Sequence, residues 1–342
     1  MLDSMNNWLL AIIGLILLAL LVLSANFAVK KLLGIANYFH LSSTFIGMTV
    51  LSIATSLPEI TSHVLASIGI LRGTLDYQIG SAIVLGSNIG SDVVQQTLIM
   101  GLIVFLAGGL YFRRYFLWKS MGPMIATTVM CLVLGFDGNY SRVDGAILFA
   151  TFIGYTYYLY VDERKHYIEE DNTLQSQELA DDVPQNGREV IKDSLLTLVM
   201  IVIMIVVASL VLNITELIVI RTGIGGSLIG VLTLGLASAL PEFTTALAGI
   251  RHKEFGVSLG TLVGSNITNP LVAIGGGALI STYAVPKPLV GWDLPWEFLT
   301  GAVLWLILWF NKGKLGKREG VYLIVMYFVY IFFRSYFFPA DY

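Results

Sequence analysis

The most constraining feature of the sequence is a series of apolar stretches that match the thickness of a lipid bilayer. A helix needs roughly 20 apolar residues to cross the hydrocarbon core. The chain of 342 residues is 56% hydrophobic and only 13% charged, about half the charged share of a soluble domain. We predict an all-α integral membrane protein with ten transmembrane helices, at residues 8–33, 41–70, 78–110, 120–136, 143–161, 193–220, 225–250, 256–283, 290–310 and 319–338.

Composition also narrows the chemistry. The single cysteine, Cys131, excludes an internal disulfide and a cysteine-based metal site. The four histidines are scattered without metal-ligand spacing, and a net charge of −3 gives no argument for nucleic acid. The sequence therefore predicts no cofactor and no nucleic-acid partner, and it gives no evidence of an obligate protein partner.

The distribution of basic residues predicts how the chain lies in the membrane. The hydrophilic segment 162–192 is predicted to be an aqueous linker. With ten helices, the connections on its side of the membrane hold about three quarters of the 20 lysines and arginines; Arg334 is counted with the opposite side. The positive-inside rule then predicts a multi-pass cell-membrane protein with 162–192 in the cytoplasm and both termini outside.

An internal repeat divides the chain in two. Residues 47–59 read GMTVLSIATSLPE and residues 230–242 read GVLTLGLASALPE, and the tetrapeptide GSNI follows each, at 86–89 and 264–267. Because five predicted helices precede the linker, the two copies must cross the membrane in opposite directions. We predict two inverted five-helix repeats, 1–161 and 193–342, joined by 162–192, an arrangement typical of secondary transporters.

Each copy of the repeat places a glutamate within a membrane helix. Glu59 and Glu242 occupy equivalent positions, where placing a carboxylate in the membrane costs a few kcal/mol. Two such acids at matched positions therefore indicate a function. Pro58 and Pro241 precede them and cannot donate the helical hydrogen bond. The freed carbonyls are tolerated in lipid where they line a cavity or meet a ligand.

Polar side chains in the following helices complete the pattern. They recur at i, i+4 and i+8, on one helix face: Ser87, Ser91 and Gln95 in the first half, and Thr261, Ser265 and Asn269 in the second. Such stripes also serve as helix–helix contacts in membranes. Facing two carboxylates, they predict an all-oxygen site, which suits Ca²⁺ better than a transition metal.

These motifs resemble the cation/calcium exchanger superfamily, specifically the prokaryotic type of its sodium/calcium exchanger branch. The resemblance rests on ATSLPE at 54–59 and ASALPE at 237–242, each with its GSN, and covers essentially the whole chain. It implies an antiporter that moves Ca²⁺ against Na⁺ by alternating access. It implies calcium ligands at Thr55, Glu59, Ser238 and Glu242, and sodium ligands at Ser56, Ser87, Ser265, Ser91 and Asn269 and at the main-chain oxygens of Ser52 and Gly235.

The chain departs from the family pattern at three positions. Ala239 stands where the second motif usually has a hydroxyl, which removes one expected sodium ligand. Ser91 replaces an amide or acid and is followed by Asp92, which is either a third acid of the cavity or a packing residue. Asn269 stands where the potassium-dependent branch has aspartate, which disfavours potassium cotransport.

Other functions are weighed against this one. A calcium/proton antiporter, whose acids titrate during the cycle, is the main alternative, with H⁺ as a further partner. A channel is disfavoured because filters usually arise from rings of identical subunits. An enzyme is disfavoured because no nucleophile–base pair is present. In each case the lipid bilayer is the surrounding partner.

Overall fold

The computed structural model describes residues 5–38, 49, 51–112, 114–166, 183–251 and 255–341. Before the linker, the described helices are α1 (Asn7–Tyr38), α2 (Ser52–Thr55 and Leu57–Arg72), α3 (Tyr77–Ala107), α4 (Arg114–Phe116 and Leu117–Leu134) and α5 (Arg142–His166). After it come α6 (Gly187–Thr222), α7 (Gly226–Arg251), α8 (Phe255–Thr268, Asn269–Ile274 and Gly275–Ile280), α9 (Leu289–Phe310) and α10 (Lys317–Phe337).

Helix boundaries follow local chemistry. The Asp76 carboxylate caps α3 by accepting hydrogen bonds from the backbone nitrogens of Gln78 and Ile79, both at 2.9 Å. Such a cap satisfies amides that have no partner within the helix. Helices α2 and α6 end at Gly73 and Gly223, with φ of 68° and 69°, a left-handed conformation that glycine adopts without strain.

The fold is that of a multi-pass membrane protein. Seven of the described helices are long and apolar enough to cross a bilayer, namely α1, α3, α4, α6, α7, α9 and α10. Helices also form at the other predicted stretches, as α2, α5 and α8, but α2 and α8 carry many glycine and hydroxyl residues and α5 is rich in tyrosine. The predicted total of ten spans therefore remains a prediction.

Two short strand pairs connect the halves of the chain. Strand β1 (Leu110–Tyr111) pairs antiparallel with β4 (Lys314–Leu315), and β2 (Asn139–Tyr140) pairs antiparallel with β3 (Tyr283–Ala284). The α3–α4 connection thus lies beside the α9–α10 connection, and the α4–α5 connection lies beside the α8–α9 connection.

Close backbone contact positions α3 against the first half of α7. A Cβ atom on Gly86 would lie 2.3 Å from the Ser227 carbonyl oxygen, and one on Gly230 would lie 2.4 Å from that of Ile83. Only glycine fits at such separations. The centre of α3 is buried from Gly80 to Val94, whereas α1 exposes apolar side chains such as Trp8 and Leu15, as a lipid-facing helix does.

A buried ion pair holds one of the charges counted with the outer side. Arg334 lies within α10, as the predicted helix 319–338 implies, and is fully buried. Its Nε donates to both carboxylate oxygens of Asp293, at 3.0 and 2.8 Å. The Tyr330 hydroxyl donates to the same carboxylate at 2.6 Å. Burial of an arginine is tolerated here because its charge is paired and hydrogen-bonded.

Candidate cation-binding site

The two motifs interrupt their helices at matched positions. Helix α2 breaks at Ser56 (φ −77°, ψ 3°) and α7 breaks at Ala239 (φ −77°, ψ −6°). Proline has no backbone N–H, so Pro58 and Pro241, two residues further on, cannot donate the helical hydrogen bonds to the carbonyls of Ala54 and Ala237. Glu59 therefore lies in the first turn of the second part of its helix, as its counterpart in α7 does.

Glu59 is buried, and one of its two carboxylate oxygens is hydrogen-bonded. Its side chain is 2% exposed. Its Oε1 accepts a hydrogen bond from the Ser91 hydroxyl at 2.9 Å, while its Oε2 has no hydrogen-bond partner. Ser238 of α7 also faces this carboxyl group. One carboxylate oxygen is therefore left without a donor.

Glu242 is fully buried, and neither of its carboxylate oxygens has a hydrogen-bond partner. It faces Thr55 of α2 and Ser265 of α8, whose hydroxyls are hydrogen-bonded to each other at 3.2 Å. Glu242 also interacts electrostatically with Glu59. The predicted calcium ligands Thr55, Glu59, Ser238 and Glu242 are therefore brought to one region by the folding of α2 against α7 and α8.

Further buried oxygens lack donors. They belong to hydroxyl and amide side chains: Ser56 Oγ, Asn88 Oδ1, Thr261 Oγ1, Asn266 Oδ1 and Asn269 Oδ1. Buried acceptors without partners cost about 1–3 kcal/mol each, and more if charged. Among the described residues, the buried basic side chain is Arg334, which pairs with Asp293. A region rich in oxygen atoms that can act as ligands, and poor in positive charge, suits a cation.

The other predicted sodium ligands make hydrogen bonds or backbone contacts of their own. Ser52 Oγ is hydrogen-bonded to Thr268 Oγ1 at 3.0 Å. The main-chain oxygens of Ser52 and Gly235 both accept helical bonds, from the nitrogens of Ser56 (3.1 Å) and Ala239 (3.2 Å). The backbone of Ser87 packs against Gly235, where a Cβ would lie 2.8 Å from the Ser87 oxygen.

Asp92 is engaged by a residue that the resemblance assigned to sodium. The Asn269 amide nitrogen donates to Asp92 Oδ1 at 2.7 Å. Asp92 is 1% exposed and interacts electrostatically with Glu297, Glu59 and Glu242. The chain thus places a third acid beside the paired motifs, with its carboxylate turned to Asn269.

Sequence reasoning missed two features around this region. Glu297 of α9 is buried and accepts from the Thr128 hydroxyl at 2.6 Å, and Gln96 donates to its main-chain oxygen at 2.8 Å. Gln95 lies in the predicted polar stripe, and in the structure it also bridges Ser91 and Asn266. Two acids, Asp293 and Glu297, within an otherwise apolar predicted helix were the available signal for Glu297.

The described residues contain no cluster of three or more histidine, cysteine or acidic side chains that suits a metal ion. The region is instead built from two carboxylates with neutral oxygens around them. Helices broken at matched positions, with charged groups at the breaks, are typical of secondary membrane transporters.

The chain belongs to the sodium/calcium exchanger protein family. The sequence profile of that family matches residues 9–161 and 193–336, so the resemblance read from the motifs is confirmed. Members of this family are transporters rather than enzymes, and they carry Ca²⁺ and Na⁺ without a cofactor.

Individual relatives extend over nearly the whole chain. It is 28% identical to inner membrane protein YrbG of Escherichia coli strain K12, over 94% of each chain. It is 24% identical to the sodium/calcium exchanger MaX1 of Methanosarcina acetivorans, over 95% of this chain and 97% of that protein. A solved structure of the sodium-calcium exchanger NCX_Mj, soaked with Na⁺ and Sr²⁺, is similar with a TM-score of 0.62 and 22% identity, over 95% of this chain and 99% of that one. This likeness shows a shared fold.

Proposed function

We propose that this protein is a secondary active antiporter that moves Ca²⁺ across the membrane in exchange for Na⁺ by alternating access. The observation that carries the proposal is the meeting of Glu59 and Glu242, buried acids with three carboxylate oxygens that lack hydrogen-bond donors. Family membership supports the ion class, and MaX1 is itself named a sodium/calcium exchanger.

The chemistry of the site favours calcium as one of the two ions. Ca²⁺ takes six to eight oxygen ligands and prefers carboxylates among them. Two carboxylates balance the charge of Ca²⁺, and the nearby hydroxyls of Thr55 and Ser238 can serve as neutral oxygen ligands. Sodium needs less negative charge, so we assign it the more neutral neighbours Ser56, Ser87, Ser91, Ser265 and Asn269. The exchange then follows from competition for overlapping oxygens.

We further propose the ten-span, inverted-repeat arrangement with repeats 1–161 and 193–342 around a cytoplasmic 162–192 linker and both termini outside. The two stretches matched by the family profile leave this linker out. The strand pairs β1–β4 and β2–β3 support the inverted repeat, because exchanging the two repeats converts one pair into the other. The matched helix breaks at Ser56 and Ala239 support the repeat as well.

Purified protein in proteoliposomes tests the function. We expect calcium uptake when vesicles loaded with sodium are diluted into sodium-free buffer, and no uptake when both sides hold equal sodium. A proton gradient imposed without sodium should drive no uptake. Calcium flux that follows the proton gradient and ignores sodium would contradict the proposal.

The second candidate is a calcium/proton antiporter. The observation that favours it is the pair of additional buried acids, Asp92 and Glu297, near the motif glutamates. These acids exceed what one calcium ion needs for charge balance, and proton binding would neutralise them. The relative CaxA of Alkalimonas amylolytica, 24% identical over 93% of this chain, is named only a putative antiporter. The same vesicle experiment separates the two candidates.

A further inference from the structure

A chain of hydrogen bonds joins α8 to Glu59 through two side chains of α3. The Asn266 amide nitrogen donates to Gln95 Oε1 at 3.1 Å. Gln95 Nε2 donates to Ser91 Oγ at 3.0 Å, and Ser91 Oγ donates to Glu59 Oε1 at 2.9 Å. All four side chains are buried, so the chain is shielded from water.

The direction of this chain is fixed by its starting point. The Asn266 amide nitrogen also donates to the Leu262 carbonyl oxygen at 2.8 Å, and a carbonyl can only accept. Gln95 must therefore turn its oxygen to Asn266 and its nitrogen to Ser91. Since Ser91 accepts from Gln95, its own proton is directed to Glu59. Oε1 of Glu59 is thereby occupied, and Oε2 is left for another partner.

No equivalent chain of hydrogen bonds forms among the described residues of the second half of the protein. The offset of the GSNI motifs places Asn269 opposite Ser91 and Ala273 opposite Gln95. Asn269 donates its amide nitrogen to Asp92 at 2.7 Å, and an alanine has no polar side-chain atom. Neither carboxylate oxygen of Glu242 has a partner within hydrogen-bond distance, although Thr55 and Ser265 face it. Two carboxylates in equivalent motifs are thus held in different ways.

We propose that Gln95 is a positioning residue for calcium binding. By orienting the Ser91 hydroxyl, it fixes the Glu59 carboxylate with Oε2 turned to the ion, so that Glu59 is the preformed half of the site. Glu242 reaches its ligand geometry when the ion binds. The inference rests on the proposed function, in which both glutamates bind one calcium ion, and it assigns Gln95 no direct contact with that ion.

Equilibrium binding of radioactive calcium to the purified, sodium-free protein tests the role of Gln95. The near-isosteric Gln95→Met removes both hydrogen bonds of the glutamine, and we expect calcium affinity to fall about three- to ten-fold, the range of one hydrogen bond. The matched control is Gln96→Met. Gln96 is equally buried but donates to the Glu297 main-chain oxygen and to Thr300, so calcium affinity should stay within about two-fold of the wild type.

A double-mutant cycle separates positioning from general stability. Ser91→Ala removes the last link of the chain, so we expect it to weaken calcium binding as Gln95→Met does, and the double variant should lose no more than either single variant. Additive losses, an unchanged affinity in Ser91→Ala, or an equal loss in Gln96→Met would overturn the role of Gln95. Ser91→Ala decides the matter alone if Gln95→Met does not fold. A wild type that binds no calcium would overturn the proposed function itself.

Discussion

At the scale of single residues, the site shows that equivalent sequence positions need not have equivalent surroundings. Glu59 and Glu242 both follow a proline at a helix break, yet only Glu59 receives a hydrogen bond from a side chain, that of Ser91. The sequence predicted the two glutamates because an intramembrane acid in a repeated motif is unusual. It did not predict their difference, because that depends on contacts across helices.

Neutralising either glutamate should abolish calcium transport. Glu59→Gln and Glu242→Gln each keep the side-chain shape but remove half of the negative charge that we assign to the calcium site. We expect sodium-driven calcium uptake in proteoliposomes to fall to background, with unchanged expression and size-exclusion profile. Glu319→Gln, at the start of α10, is the control and should transport normally. Robust uptake by either motif variant would mean that its carboxylate is no calcium ligand.

Restoring the missing hydroxyl should affect sodium more than calcium. Ser56 has a buried Oγ without a partner, while its counterpart Ala239 is a buried methyl. We expect Ala239→Ser to strengthen sodium competition against bound calcium about five-fold, from about 1 kcal/mol for one neutral oxygen ligand. Calcium affinity without sodium should hardly change. A shift in calcium affinity with unaltered sodium competition would show that position 239 does not line a sodium site.

At the scale of helices, the breaks in α2 and α7 were foreseeable and the buried ion pair was not. Proline in a repeated motif predicts an interruption wherever it falls in a helix. Arg334 looked like an outer-surface charge because it lies near the end of an apolar stretch. Its partner Asp293 is 41 positions away in sequence, and no periodicity indicates that pairing.

Removing one partner of this ion pair should destabilise the protein strongly. Arg334→Gln leaves the Asp293 carboxylate buried without its positive partner, at a cost of about 3–5 kcal/mol. We expect a clear fall in the thermal unfolding midpoint measured in detergent. Adding Asp293→Asn removes the unpaired charge, so the double variant should recover part of the loss. A double variant less stable than Arg334→Gln would contradict a simple charge pair.

At the scale of the whole molecule, the class of fold could be predicted, but the way in which helices of the two halves pack against each other could not. Apolar stretches and the duplicated motif indicate a helical membrane protein with two related halves, since both features depend on sequence alone. The contact between Asn266 and Gln95 spans 171 positions, and it depends on how α8 slides and rotates against α3. Similar reasons hid the contact between Asn269 and Asp92.

Protons should compete with calcium for the transporter as a whole. Carboxylate ligands must be deprotonated to bind a metal ion, and the site gathers several acids away from water. We therefore expect sodium-driven calcium uptake to be greatest at neutral to mildly alkaline pH and to weaken as the pH falls. Measuring initial uptake over that range with a fixed sodium gradient checks this. Uptake that stays constant into clearly acidic pH would contradict it.

The central claim is that Glu59 and Glu242, from two oppositely directed repeats, bind the same calcium ion. Crystals of the protein soaked with calcium or strontium and measured for anomalous scattering test it most directly. The account predicts one strong peak within about 2.3–2.6 Å of carboxylate oxygens from both residues for calcium, and loss of that peak after soaking in high sodium. Separate peaks at the two glutamates, or carboxyl groups that face different cavities with no shared ion, would contradict it.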